Sequence, residues 1–431
     1  MAESDLSDIP TDAIRAALHE TIEKKLKSKN YKTVVSSASK AGESNFVGIV
    51  HRVSFNKNDE EKQEKLILKV APQNETRRDQ FNSRALFLQE INMYDKILPF
   101  LKEFEQSKGV VIEEDGFVEY PKCYRTIDEA PSESLFLEDL SVRDFAIIDR
   151  YTQEVTADHV YLFMKALGKL HAISFALKDQ QPEKFKELAS SLKEMFLRAN
   201  EEFIGEFFDN QAESIFKVLD NAEDAHLLAK MKKVFENGAF KTALECLDLD
   251  GTDPGSVISH GDSWQNNLMF RYDENGKPIE ICLLDLQVSR YSSPIIDIVY
   301  FIFCCTTKEL RDAHYDDFLK AYHESLSAHI RRLGSDPEKL FPFAVMLEHF
   351  RKYAKFGLVL STVLLPMITT DRGNGLDLDE LAVKFEKNKE NNFENKEDLD
   401  AFNSFISDNS RIKFNKRLRD VVIDMVRLGY V

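Results

Sequence analysis

The chain has 431 residues, 43% of them hydrophobic, which is enough for two lobes that each bury a core. A formal net charge of -17 and a pI near 5.2 argue against nucleic acid or an anionic membrane surface as the main partner, since both reward clustered Lys and Arg. An anionic ligand would therefore need a local cation or a metal to hold it.

The N-terminal stretch MAESDLSDIPTDAIRAALHE is acidic where a secretory signal needs a basic start and an apolar run, so a cytoplasmic protein is expected. Residues 11–29 read as a helical extension, with domain 1–30 ahead of the first β-rich run. YKTVVSSAS (31–39), FVGIVHRVSF (46–55) and KLILKVAP (65–72) are β-rich and separated by polar turns, and a helix is expected over about 79–98. GFVEYPKCYRT (116–126) and SLFLEDL (134–140) add two more strands and close a small lobe at 31–138. From Val160 the apolar period becomes helical, and the remainder, 139–431, reads as a larger helical lobe. Inside it lies a β-rich island of VISHGD (257–262), NLMFRYD (267–273) and IEICLLDLQ (279–287), with Glu274-Asn275-Gly276-Lys277 as the turn.

The apolar stretch 356–370 contains Pro366 and falls short of the roughly 20 residues a membrane span requires. It reads as a buried helix. The five cysteines, Cys123, Cys246, Cys282, Cys304 and Cys305, lack metal spacing and are expected to be reduced core thiols. The charged run 384–400 reads as a solvated helix or flexible segment. The fold class expected from this order is α+β and bilobal, with a small antiparallel sheet in the first lobe and a mainly helical second lobe.

The chemistry is concentrated in ISHGDSWQNNLMF (258–270), which precedes CLLDLQ (282–287). Asp262 and Asn267 stand five positions apart and Asp285 ends an apolar strand, the spacing of a kinase catalytic loop and its magnesium-binding aspartate. Phosphoryl transfer requires positioning and charge neutralisation, which hard oxygen ligands supply. Asp262 is then the base, with Asn267 and Asp285 as metal ligands. Lys69 in LILKVAP and Glu90 on the following helix match the lysine–glutamate pair that grips nucleotide phosphates. AGESNFVG (41–48) is a polar turn in which Gly42, Ser44 and Asn45 could cover phosphates through backbone N–H groups, although it is not GxGxxG. LFLEDL (135–140) stands where a hinge would bind adenine.

A protein kinase is disfavoured. LQVSRYSSP (286–294) runs straight into IIDIVYFIFCC (295–305) and leaves no room for a peptide platform, and Gly261 stands where kinases place an arginine. A small-molecule kinase is expected instead. The motifs HGDSWQNNLMF, CLLDLQVSRYSSPIIDIVYF, FLEDLS, LILKVAP, QEINMYDKILP and LGKLHAISFAL together resemble the insect ecdysteroid-kinase-like (CHK kinase-like) family, which is related to choline kinases and aminoglycoside phosphotransferases. The resemblance covers about 35–370.

The resemblance implies ATP- and Mg2+-dependent phosphorylation of a small hydroxylated molecule. That molecule would be an ecdysteroid, typically at a side-chain hydroxyl such as the 22-OH, or a plant toxin or other xenobiotic. It makes Asp262 the catalytic base, Asn267 and Asp285 the magnesium ligands, Lys69 the phosphate lysine with Glu90 as its partner, and Glu138, Asp139 and Leu140 the hinge. The chain departs from the family pattern at Glu43 and Ser44, and at Leu286, where Phe is more frequent. Asp297 would brace the catalytic loop or simply start a helix, and His260 and His171 would be structural. The stretch 341–366 is a candidate wall for an apolar acceptor pocket. A GDS-type esterase using Ser263 requires an Asp-x-x-His, which no histidine of the chain provides. A non-catalytic hormone-binding module would have no need of intact Asp262, Asn267, Asp285 and Lys69. No nucleic acid partner and no membrane insertion are expected.

Overall fold

The computed structural model describes residues 6–37, 48–57, 61, 63–80, 82–199, 201–220, 222–247, 251, 253–371 and 407–431. Helix α1 (Asp12–Leu26) begins where the Thr11 hydroxyl accepts the Ile14 N–H, and it carries Asp12 in its first turn and Lys24 and Lys25 in its last. Both charge placements complement the helix dipole. Ile14, Leu18, Ile22 and Leu26 recur every four residues and form one apolar stripe. The stripe is buried against Val53, Phe55, Leu66, Leu68, Val70 and Phe136 of the first sheet. The helix expected as an extension thus supplies part of the small-lobe core.

That sheet is antiparallel in the order β1-β2-β3-β5-β4, from β1 (Tyr31–Ser37), β2 (Ile49–Lys57), β3 (Glu64–Val70), β4 (Cys123–Ile127) and β5 (Ser134–Glu138). Alternation along a strand decides what faces what. Leu66, Leu68, Val70 and Phe136 point to α1, so Lys69, Leu135 and Leu137 point to the opposite face. On that face lie α2 (Glu75–Gln80) and α3 (Ser83–Asn92), then a π turn over Met93–Ile97 and α4 (Leu98–Ser107). Pro99 has no N–H to continue the α pattern, and Leu98 N–H reaches back five residues to the Met93 carbonyl. A short α5 (Ile112–Asp115) leads to β4.

After β5, a 3-10 turn (Leu140–Arg143) and β6 (Phe145–Ile147) carry the chain into the second lobe. There β6 pairs with β8 (Leu268–Tyr272), which pairs with β9 (Pro278–Leu283), while β7 (Val257–Ser259) pairs with β10 (Arg290–Ser292). β6 and β10 carry no sequence signal of their own, being three residues long and stabilised only by their partners. The helices preceding β7 are α6 (Ala157–Gln180), α7 (Pro182–Ser190), α8 (Glu201–Val218), α9 (Ala225–Val234) and α10 (Ala239–Glu245). Those following β10 are α11 (Ile295–Cys305), α12 (Lys308–Arg332), α13 (Pro337–Leu340), α14 (Phe343–Tyr353), α15 (Lys355–Thr369) and α16 (Asp408–Arg427).

The fold is mixed α/β and bilobal, as expected. α6 is the one described helix long and apolar enough to cross a membrane, yet 78% of its apolar window is buried inside the protein, so it is a core helix. It packs on α12 closely enough that a Cβ on Gly168 would lie 2.7 Å from the Ser325 Cβ. α11 is buried on every side, and α15 continues through Pro366 to Thr369. The five cysteines are free thiols. The charged run 384–400 lies outside the described residues.

Candidate active site

Strand alternation sends Lys69 toward α3, where its Nζ lies 2.6 Å from Glu90 Oε2 and 2.7 Å from Asp285 Oδ1. Burial pushes the ammonium down, but Asp285 and Glu90 outweigh it and hold Lys69 above the ordinary lysine range. Burial raises the Glu90 carboxyl against the pull of Lys69. The ammonium, drawn on by two carboxylates, keeps its proton. Asp285 adopts a left-handed conformation, φ 63° and ψ 72°, which turns its carboxylate out of the β9 direction and back toward Lys69.

The segment after β7 is set by Asp297, in the first turn of α11. Its Oδ2 accepts the His260 N–H and its Oδ1 the Gly261 N–H, both at 2.8 Å. His171 Nε2 lies 3.2 Å from Asp297, and the other nitrogen of the His171 ring contacts the Tyr322 hydroxyl at 2.9 Å. This brace holds Asp297 below the usual carboxylate range although burial pushes it up. His260 is buried as well, and burial lowers its pKa. Its Nδ1 accepts the Asp262 N–H at 3.2 Å, so Nε2 carries the proton and donates to the Leu284 carbonyl at 2.9 Å. Both histidines thus orient the loop.

Gly261 has φ +89°, and a Cβ there would lie 2.1 Å from the Val288 carbonyl oxygen. An arginine, or any residue other than glycine, is excluded at this position by shape alone. Gly261→Ala should destabilise the fold by at least about 2 kcal/mol in urea unfolding, through left-handed strain and overpacking, and should lower turnover with it. Unchanged unfolding would contradict the geometry.

Register then brings the remaining groups together. Leu268 pairs with Leu283, and Leu284 N–H donates to the Asn267 carbonyl at 2.8 Å, so Asn267 and Asp285 end adjacent strands side by side. Asn267 Nδ2 donates to Asp262 Oδ2 at 2.7 Å and to the Asp262 carbonyl at 3.0 Å. Burial and the nearby Asp285 charge raise the Asp262 carboxyl to about 6, opposed by the hydrogen bonds from Tyr300 and Asn267. Lys69, Glu90, Asp262, Asn267 and Asp285 are therefore one cluster in the structure.

The ecdysteroid kinase-like family matches residues 42–335 of this sequence, more than half of it. The chain belongs to that family. A comparison with curated proteins gives no match. Membership makes the chain a kinase-like small-molecule phosphotransferase. The family match begins after α1 and β1 and ends beyond α12, so α13, α14, α15 and α16 lie outside it.

Other expected positions of this family member are placed as follows. In the segment expected as the hinge, the Asp139 carboxylate takes Arg52 Nε at 2.7 Å and Ser141 N–H at 3.0 Å, which makes it an internal brace. Glu138 N–H donates to the Lys122 carbonyl at 2.8 Å, and Leu140 is the first residue of the 3-10 turn. Gly42, Ser44 and Asn45 lie outside the described residues, as do Glu43 and most of the turn; Gly48 is described and gives way to the Phe87 ring of α3. Ser263 is buried and its hydroxyl donates to the Asp297 carbonyl at 3.0 Å, not to a histidine. Most of 341–366 is core, but Leu360, Val363 and Met367 form a partly exposed face of α15.

Sequence reasoning misses Tyr300, whose hydroxyl donates to Asp262 Oδ1 at 2.7 Å. The signal was available, because Tyr300 lies three residues after Asp297 on a helix and so shares its face. It also misses Gln89 and Arg290, which lie within QEINMYDKILP and CLLDLQVSRYSSPIIDIVYF without a legible role, and Glu194, which no motif marks.

Proposed function

We propose that this family member transfers the γ-phosphoryl group of ATP to a hydroxyl of a lipophilic alcohol, an ecdysteroid at a side-chain hydroxyl such as the 22-OH. The observation that carries the reading is the convergence of Asp262, Asn267, Asp285 and Lys69. Asp262 accepts the proton of the acceptor hydroxyl as the oxygen forms its bond to the γ-phosphorus, and the bond from that phosphorus to the β-bridging oxygen breaks to leave ADP. Lys69 holds phosphate oxygens, kept charged by Glu90. The Leu140 N–H is the hinge group that adenine takes, since the first N–H groups of a helical turn lack an internal acceptor.

The donor set suits magnesium. Asn267 is pinned through Nδ2, which leaves its Oδ1, and Asp285 gives one oxygen to Lys69, which leaves the other. Among the described residues no three His, Cys, Asp or Glu side chains form a metal cage. One carboxylate and one amide are what a magnesium ion carried on phosphates needs. Bound there with ATP, the ion neutralises charge developing on the transferred group.

The lipophilic acceptor is supported by the surroundings of Asp262. The Tyr300 ring meets Phe356 edge-on at 6.4 Å, and Trp264 is buried next in the loop. A phosphate-transfer screen of ecdysteroids, alkaloids, glycosides, choline and aminoglycosides, with products identified by phosphorus NMR, tests this. Preference for choline or an aminoglycoside over every steroid would refute the acceptor assignment; preference for an alkaloid would move the reading to xenobiotic detoxification.

A further inference from the structure

Between β9 and α11 the chain turns sharply, and two side chains, one from α3 and one from within the segment, take up its carbonyl groups. Gln89, next to Glu90 on α3, donates from Nε2 to the carbonyls of Gln287 at 3.2 Å and Ser289 at 2.9 Å. Its Oε1 accepts the Lys193 N–H at 3.2 Å. Arg290 donates from Nε to the Val288 carbonyl at 3.1 Å and from Nη2 to the Gly261 carbonyl at 3.2 Å. Three successive carbonyls after the Asp285 turn, and the one preceding Asp262, are thus held by two side chains.

Arg290 is also paired. Its Nη1 lies 2.6 Å from Glu194 Oε2, with only 7% and 3% of the two side chains exposed. Glu194 is fixed in turn, because its Oε1 accepts the N–H groups of Phe196 at 3.0 Å and Leu197 at 2.8 Å. The segment 191–199, which leads into α8, is therefore fastened both to α3 and to the catalytic loop. A guanidinium this deep would be costly without its counter-charge.

In regulated kinases a phosphate on a mobile loop ties an arginine to the catalytic loop. Here Gly261 cannot be arginine, and Arg290 ties the same loop to a carboxylate built into the chain itself.

We propose that Gln89, Arg290 and Glu194 form a permanent latch that positions Asp262 and Asp285 against α3, with Glu194 as the fixed counter-charge. The three are positioning residues, and the inference rests on the reading of Asp262 and Asp285 given above. Its consequence is a site assembled without covalent activation, in which segment 191–199 connects α8 to the catalytic loop.

The test uses the full chain carrying Arg290→Met with Glu194→Gln, which removes both charges and leaves neither unpaired, and separately Gln89→Met, which cuts the other anchor. Turnover with the alcohol found in the screen is measured beside amide hydrogen exchange. The latch predicts turnover roughly 10- to 100-fold lower in both variants, the cost of a small misplacement, with KM for ATP within about threefold. It also predicts exchange about 10-fold faster confined to residues 260–268 and 285–292. Turnover per folded molecule within twofold of the parent, or unchanged exchange in those segments, would overturn it. Asp262→Asn is run alongside: if that variant keeps full turnover the base assignment fails, while the exchange data still decide the latch.

Discussion

Asp262→Asn is expected to lower turnover about 10³-fold, within the range for loss of a positioned general base, with Mg-ATP affinity nearly unchanged. The carboxylate lies between two donors, the Tyr300 hydroxyl at 2.7 Å and Asn267 Nδ2 at 2.7 Å. An asparagine can accept from only one of them through its single carbonyl oxygen and sets an N–H2 against the other. The side chain remains in place and folds, but it cannot take a proton. Initial rates with the accepted alcohol, together with a calorimetric titration of Mg-ATP, separate the two effects. Full turnover would remove Asp262 from the mechanism, and a large loss of nucleotide affinity would make it a binding group.

Asp285→Ala should lose at least about 10-fold in Mg-ATP affinity, or about 1.4 kcal/mol, and nearly all activity. Its effect on stability should run the other way. Lys69 sits between two carboxylates, and removal of Asp285 leaves a neutral Lys69–Glu90 pair at 2.6 Å in place of a cluster with one excess negative charge. Thermal unfolding should therefore show the variant at least as stable as the parent, as expected where a site is built for binding at a cost to the fold. Unchanged Mg-ATP affinity would exclude Asp285 as a metal ligand, and a large fall in melting temperature would make it a structural residue.

Lys69, Glu90, Asp262, Asn267 and Asp285, the proposed phosphoryl-transfer set, could be picked out together in the sequence because that chemistry needs particular atoms in a particular order, and short spacings along strands and loops preserve that order. Asp297 was legible only as an alternative between loop brace and helix start, since one acid in a first turn fits both. The structure decides for the brace through the His260 and Gly261 N–H groups. The segment 135–140 was marked as the proposed hinge, but not the diversion of Asp139 to Arg52, which reaches it from β2 across β3.

The sequence by itself determined the division into a β-rich lobe and a helical lobe, because strand and helix periods are local properties of side-chain order. It also singled out the residues proposed to carry the chemistry. Only the tertiary structure decided that Tyr300 faces Asp262, that α1 completes the small-lobe core, and that Gln89, Arg290 and Glu194 close around the catalytic loop. These contacts join residues far apart in the chain, and no local period or spacing encodes which distant carbonyl or carboxylate a side chain will meet. They arise when the helices and sheets are packed, where each buried polar group must find a partner or incur the cost of desolvation.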